Sequence, residues 1–232
     1  MELVLVRHAQ PAWANPDGTS TNSPGLTPLG RMQAERLAEW LAGEESPDFD
    51  ALITSPARRT RETAAAVESV LGAEAEVLPW LLEIGSPDHW EGQPETEVVR
   101  IISEMRARPR EEWWNGSPGG ERFIDFHRRV TEGLDGFLAD QGIERHRGDP
   151  DNLWYEKERA NKSLLVFAHA GTNSVVTSHL LGLEPQPWEW ERFPCDHASV
   201  TVLRTRPIAG GAIWSLEYFS DVAHLPREAV TA

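Results

Sequence analysis

Cysteine is nearly absent from this chain: Cys195 is the single one in 232 residues. One thiol closes no internal disulfide, so the expectation is a reducing, cytoplasmic setting. Long apolar runs are missing as well, and no stretch approaches the about 20 residues that cross a bilayer. Met1-Glu2-Leu3-Val4-Leu5-Val6 has no basic start and is stopped by Arg7-His8, which reads against a secretory signal. Positive charge is scarce: 22 Lys and Arg stand against 37 Asp and Glu, for a formal net charge of -15. General nucleic-acid binding needs clustered cations along a phosphate backbone, and this balance argues against it. Solenoid repeats and low-complexity tracts are absent too. What remains is the composition of an ordinary globule, 40% hydrophobic and 25% charged, of a length that suits one large domain. Tryptophan is in excess, with 10. Trp80, Trp90, Trp113, Trp114, Trp154, Trp188 and Trp190 fall near Pro, Gly or charged residues, as loop or lid positions do.

Two apolar runs end alike. Leu3-Val4-Leu5-Val6-Arg7-His8-Ala9 and Leu164-Leu165-Val166-Phe167-Ala168-His169-Ala170 read as strands covered on both faces, each delivering a histidine at its carboxyl end. Ligands of open α/β sheets bind just beyond such ends, so the pair predicts one shared site. In so acidic a chain, an arginine directly before the first histidine points to a local positive pocket for a small anion.

Between these runs the pattern alternates. Residues 11–25 are polar and turn-rich, too long for a tight connection and therefore read as functional. Thr27-Pro28 opens a helix with a threonine cap and a proline. Ala34, Leu37, Ala38 and Leu41 form its apolar stripe, and Gly43 lies at its stop. A strand over 51–54 follows, Ser55-Pro56 repeats the cap-and-proline signal, and a second helix runs towards Gly72. Strand, turn and helix, twice over, predict βαβ units and a sheet parallel at least in part. From about 79 to 162 the pattern loosens into helices over 95–107 and 121–142, a turn cluster over 113–120 and a polar loop over 144–162. This stretch is the expected cap, inserted into one mixed α/β domain spanning 1–232. The second His-bearing strand, 163–168, leads into a helix ending at Gly182. Strands over 198–204 and 212–219 complete the sheet as edge or antiparallel members.

Arg58, Arg59 and Arg61 stand at the start of the second helix, where the helix dipole favours anions. A bound anion turns that cost into a gain; the alternative is solvated arginines paired with Glu62. Arg7-His8 by itself is equally well a strand end satisfied by backbone carbonyls, and it is the second histidine that tips the reading. Histidine, with an ordinary pKa near ~6.5, serves as nucleophile or base at neutral pH. Cys195 reads as a packed thiol rather than a nucleophile. His127, His179, His197 and His224 have no spacing that singles them out; His197, just before the strand over 198–204, either lines the pocket or is structural, and the structural reading is favoured.

Taken together, these residues resemble the histidine phosphatase superfamily, the phosphoglycerate-mutase-like group. Arg7-His8-Ala9 stands for its Arg-His-Gly signature, and Leu26-Thr27-Pro28-Leu29-Gly30-Arg31-Met32-Gln33-Ala34 for its Leu-Thr-x-x-Gly-x-x-Gln-Ala element. Thr54 to Ala64 looks like its Ser-x-x-x-Arg-Ala-x-x-Thr-Ala helix start; aligned on Thr63-Ala64, Arg59 rather than Arg58 is the phosphate-binding arginine. Leu82-Glu83 with Trp90-Glu91-Gly92 resembles the acid-bearing segment, Gly119-Gly120-Glu121 the turn before a later helix, and Ala168-His169-Ala170-Gly171 its Ser-His-Gly-Gly. The matches run in family order from residue 3 to about 204. The chain departs from the pattern at Ala9, where the family has glycine, and at Pro11, where it has Thr or Ser.

The resemblance implies a three-layer α/β/α sandwich with a mostly parallel central sheet and an inserted cap. It implies a phosphoric monoester hydrolase acting on a small phosphorylated substrate, with no cofactor and no metal. Neither nucleic acid nor membrane is an expected partner, and homo-oligomer formation is left open. His8 is the implied nucleophile, forming a phosphohistidine, while Arg7, Arg59 and His169 hold the phosphate oxygens. Glu83 is the implied acid, with Asp88 and Glu91 as alternatives. Arg7, Gln10, Arg59, Ala170, Gly171 and Thr172 form the implied substrate-binding set. Two other readings stay open. One is a phosphoglycerate mutase type, for which the cap carries Arg100, Arg106, Arg108 and Arg110 amid many acids. The other is a non-catalytic module that binds phospho-ligands. Zinc on His8 and His169 is opposed by the neighbouring arginines. Trp13, Trp90, Trp113 and Trp114 either shape an apolar substrate pocket or pack the cap.

Overall fold

The computed structural model describes residues 1–43, 46–145, 153–157 and 162–232. The strands are β1 (Glu2–Arg7), β2 (Ala51–Thr54), β3 (Ala75–Val77), β4 (Ile143–Arg145), β5 (Trp154–Glu156), β6 (Ser163–Ala168), β7 (Val200–Ile208) and β8 (Gly211–Asp221). The helices are α1 (Pro28–Leu41), α2 (Arg58–Leu71), α3 (Glu95–Arg106), α4 (Phe123–Asp140), α5 (Ala170–Leu180) and the single turn α6 (Glu189–Arg192). One sheet takes the order β3-β2-β6-β1-β7-β8-β5-β4. Strands β3, β2, β6 and β1 pair in parallel, and every pairing from β1 outward through β7, β8, β5 and β4 is antiparallel. The expected parallel character thus holds in the half that carries both histidines.

Alternation along β1 builds the layers. Leu3 and Leu5 enter a core shared with Phe123, Phe126, Val130, Leu134 and Leu138 of α4 and with Val175 and Val176 of α5. Val4 and Val6 point the other way, into a core with Leu37, Ala38 and Leu41 of α1 and Ala64 and Val67 of α2. A strand buried on both faces has no polar positions to spare, which is why these runs read as continuously apolar.

The start of α1 follows the sequence signals: Thr27 Oγ1 accepts from the Gly30 N–H at 2.9 Å, and proline occupies the first turn. Gly30 is needed there, because a Cβ would lie 2.2 Å from the Gln10 carbonyl oxygen. That close approach docks α1 directly under the loop that follows β1. The 11–25 stretch forms short antiparallel bridges, Pro11 with Leu26 and Ala14 with Ser20, and Thr19 bridges to Pro94.

Three expectations are corrected. Ser55 does not cap α2: the capping position is Ala57, without a side-chain cap, and the Ser55 hydroxyl turns inward instead. Strand β3 has no counterpart in the sequence reading. The loop expected over 144–162 contains β5, and β4 overlaps its start, pairing with β5 in antiparallel fashion; residues 146–152 and 158–161 of that expectation lie outside the described residues. Strands of three residues are too short to show a period, and here tertiary contacts define them: Trp154 is fully buried with its ring 6.2 Å from that of Trp214. Among the described residues no helix is long and apolar enough to cross a membrane.

Candidate active site

Parallel pairing of β1 with β6 places Arg7 opposite Ala168, and the His8 N–H donates to the Ala168 carbonyl at 3.0 Å. His8 and His169 therefore leave neighbouring strands at the same level, with ring centroids 5.2 Å apart. Nδ1 of His8 lies 2.9 Å from the Ala9 carbonyl oxygen, which can only accept. The proton is thus on Nδ1, and Nε2 keeps its lone pair. Nε2 of His169 sits 2.9 Å from the Ser55 hydroxyl, brought there by β2 on the other side of β6.

Two guanidiniums join the imidazoles. Arg59, one residue into α2, is buried at 6% exposure, and the Trp13 ring lies 4.9 Å from its guanidinium carbon. Among the described residues Arg59 makes no hydrogen bond or ion pair, and Glu83 is the carboxylate whose field it feels. Arg7 donates to the Cys195 carbonyl and to Nε2 of His197, the latter at 2.9 Å. Nε of Arg7, Nε of Arg59 and Nδ1 of His169 are buried without hydrogen-bond partners among the described residues. Buried donors are normally satisfied. A cluster of such cationic and imidazole donors is the chemistry of an anion site.

Electrostatics separate the roles. Burial, reinforced by Arg59 and Arg7, holds both His8 and His169 well below the ordinary imidazole range, so both rings are neutral near pH 7. Burial brings Arg59 down to about 10, which leaves it cationic at neutral pH. Glu83 moves the other way. Burial lifts its carboxyl above the usual carboxylate range, against the pull of two N–H donors and of Arg59 and Arg7.

Glu83 follows a single 3₁₀ turn at Pro79–Leu81. Its Oε2 accepts from the Gly171 N–H at 2.8 Å and its Oε1 from its neighbour Ile84 at 3.0 Å. Gly171 lets the carboxylate come this close, since a Cβ there would lie 2.4 Å from Oε1 of Glu83 and push it aside. Arg129 of α4 fastens the segment from behind, donating to the carbonyls of Trp80, Leu82 and Glu83 and pairing with Glu121. The alternative acids lie elsewhere: Asp88 is exposed, and Glu91 accepts from the Asn22 N–H at 2.6 Å.

The remaining expected ligands divide. Ala170 and Gly171 form the first turn of α5 beside His169. Gln10 turns its side-chain oxygen to the Thr27 hydroxyl, at 2.7 Å. The Thr172 hydroxyl, fully buried, donates to the carbonyls of Leu81 and Leu82 rather than facing a ligand, and so steadies the Glu83 segment. Arg58 pairs with Glu62 at 2.6 Å, the solvated reading. Sequence reasoning missed Ser55, Arg129, the link from His197 to Arg7, and Thr63, whose hydroxyl accepts from the Ala9 N–H at 3.0 Å. Ser55 and Thr63 had a signal, as the Ser and the Thr of the motif aligned on Arg59. Among the described residues no group of three or more His, Cys, Asp or Glu is placed to hold a metal ion.

Comparison with known proteins places the fold and the family. A structure of the α-ribazole phosphatase from Shigella flexneri superposes with a TM-score of 0.70 at 23% identity, covering 95% of this chain and 96% of that one, which shows the shared fold. A probable phosphoglycerate mutase of Photorhabdus laumondii is 25% identical over 233 residues, 99% of this chain and 97% of its own length. A glucosyl-3-phosphoglycerate phosphatase of Mycolicibacterium vanbaalenii is 26% identical over 188 residues, 80% of this chain and 76% of its own. A bifunctional protein of Mycobacterium tuberculosis is 31% identical over 138 residues, and the match spans only 37% of its length. The profile of the histidine phosphatase superfamily (branch 1) matches residues 3–212, across every strand and loop that carries the four cationic and imidazole groups. The chain belongs to the histidine phosphatase superfamily.

Proposed function

We propose that the protein is a metal-independent phosphomonoesterase that cleaves a small organic phosphate through a phosphohistidine on His8. The observation that carries this reading is the tautomer of His8: Nδ1 is tied to the Ala9 carbonyl, so Nε2 presents its lone pair beside Arg7, Arg59 and His169. Nε2 attacks phosphorus in line, the P–N bond forms, and the ester P–O bond breaks. The leaving alkoxide takes the proton of Glu83, whose raised pKa lets it carry one. Water then gives a proton back to the Glu83 carboxylate and attacks phosphorus, the P–N bond breaks, and inorganic phosphate and neutral His8 are released. Arg7, Arg59 and His169 stabilise the charge on the equatorial oxygens in both steps. Uncatalysed monoester hydrolysis is slow enough that enhancements approach ~10²¹-fold, so positioned charge must supply most of the effect.

Hydrolysis is favoured over a mutase reaction by the charge balance of residues 95–122. A mutase holds a second anionic group away from the reacting phosphate. Of the four arginines there, Arg100 is paired with Glu97 and Glu104 and Arg106 with Glu191, Arg108 donates to the carbonyls of Met105 and Gly116, and Arg110 is exposed. A screen of phosphomonoesters in chelator, with acid-quench trapping of the phosphoenzyme, tests the proposal. The expected result is turnover with a trapped phosphohistidine in the wild type, and neither in His8→Ala, which still binds inorganic phosphate. Unchanged turnover in His8→Ala overturns it.

A further inference from the structure

The two ring nitrogens of His169 keep unequal company. Nε2 lies 2.9 Å from Oγ of Ser55, whereas Nδ1 is buried and has no partner among the described residues. Ser55 is itself fully buried, and its backbone is held from three sides. Its N–H donates to the Phe167 carbonyl at 2.9 Å, and its own carbonyl accepts from the hydroxyls of Thr60 at 2.9 Å and Thr54 at 3.2 Å. Oγ of Ser55 accepts from the Ala57 N–H at 3.4 Å. Among the described residues the hydroxyl proton of Ser55 has no hydrogen-bond acceptor other than Nε2 of His169.

We infer that Ser55 is a positioning residue that sets the tautomer of His169: its hydroxyl donates to Nε2, which places the single ring proton on Nδ1 and makes that nitrogen a donor to a phosphate oxygen. The inference rests on the phosphomonoesterase reading above, in which His169 holds such an oxygen, and adds the residue that lets it do so. The other tautomer is worse on both sides of the ring. With the proton on Nε2, the buried Ser55 hydroxyl loses its acceptor, and Nδ1 turns a lone pair on an arriving anion. A ring protonated at both nitrogens is no escape, because burial, with Arg59, His8 and Arg7 nearby, keeps His169 neutral. Ser55 therefore makes the choice before the ligand binds. The arrangement complements His8, whose Nδ1 proton is fixed by the Ala9 carbonyl so that Nε2 is free to attack. Two rings 5.2 Å apart thus hold the same tautomer for opposite purposes, one to attack and one to donate.

Nitrogen NMR of the protein labelled with nitrogen-15 histidine reads the tautomer directly, the His169 signals being those lost in His169→Gln. The expected wild-type result, with and without inorganic phosphate, is a protonated Nδ1 and an unprotonated Nε2. In Ser55→Ala the proton spreads to Nε2. The inhibition constant of inorganic phosphate and the KM for phosphomonoesters then rise roughly 10- to 100-fold, the worth of a hydrogen bond to a charged group. Ser55→Thr, which keeps the hydroxyl, restores both the tautomer and the affinity, and Ser55→Cys, a weaker donor, restores part of each. A proton on Nε2 in the wild type, or a tautomer and an inhibition constant unmoved in folded Ser55→Ala, overturns the inference. Absence of turnover and of a trapped phosphoenzyme in the wild type brings down the phosphatase reading instead, and the spectra still decide what Ser55 does.

Discussion

Nη2 of Arg7 donates to Nε2 of His197 over 2.9 Å, and Nδ1 on the far side of that ring lies 3.0 Å from Oγ1 of Thr231. A guanidinium has only donors, so Nε2 is the accepting nitrogen and Nδ1 carries the proton. The His197 N–H also donates to the Thr231 carbonyl at 2.8 Å. Burial, then Arg7, push His197 down to about 3, which keeps it neutral. The last residues of the chain thus reach the candidate phosphate site through one imidazole.

His197 is expected to act as a positioning residue for Arg7. Replacing it with Ala should raise both the KM for phosphomonoesters and the inhibition constant of inorganic phosphate by roughly tenfold, about the worth of one charge-assisted hydrogen bond, with a smaller change in kcat. His197→Gln, which retains an acceptor, should restore most of the loss. Steady-state kinetics on the two variants decide it; equal values for Ala and Gln would mean that the Cys195 carbonyl suffices to hold Arg7.

Gly171→Ala tests the seat of Glu83 while leaving the glutamate in the sequence. The added Cβ would stand 2.4 Å from Oε1 and displace it. Alanine is a better helix former than glycine by about 1 kcal/mol, so α5 should keep its stability. Turnover of alkyl phosphates should fall by about 10²- to 10⁴-fold, the usual worth of a positioned general acid. An aryl phosphate with a good leaving group, needing no proton, should suffer far less. Thermal unfolding and kinetics on both esters provide the check, and an equal loss on the two would point to damage elsewhere.

Acid should destabilise the fold before it protonates most carboxylates. Five histidines have values depressed by burial: the buried His8 and His169 well below their ordinary range, the buried His197 at about 3, and the half-buried His127, at about 4, and His224. Below the ordinary imidazole value near ~6.5 the unfolded chain binds protons that the native state refuses, so stability falls with falling pH. Glu83 has the opposite sign: its raised value gives stability that is present in acid and lost as pH rises through its folded pKa. Five groups outweigh one. Melting temperatures are therefore expected to drop steadily from about pH 6.5 to about pH 4, and His197→Gln should flatten part of that slope. A profile flat across this window would contradict the neutral, buried state of these rings.

Much of the architecture was legible because its signals are local. Leu3 to Val6 and Leu164 to Ala168 are apolar without alternation, and both proved to be strands covered on two faces. Thr27 and Pro28 marked the start of α1 through cap chemistry confined to four residues. Strands β3, β4 and β5 were illegible because three residues carry no period.

Residue order determined which groups exist and where they stand on their elements: a histidine at the end of each of two buried strands, an arginine in the first turn of α2, and a set of carboxylates after β3. Only tertiary structure decided which of them meet. Ser55 and His169 are 114 residues apart, and they touch because β2 lies beside β6. Glu83 rather than Asp88 or Glu91 lies beside the arginines, because Thr172 and Arg129 hold its segment against α5 while Glu91 is spent on the Asn22 backbone. Local periodicity and capping act over one or two turns of chain. Convergence depends on strand order and on where helices cross the sheet, which no single segment encodes.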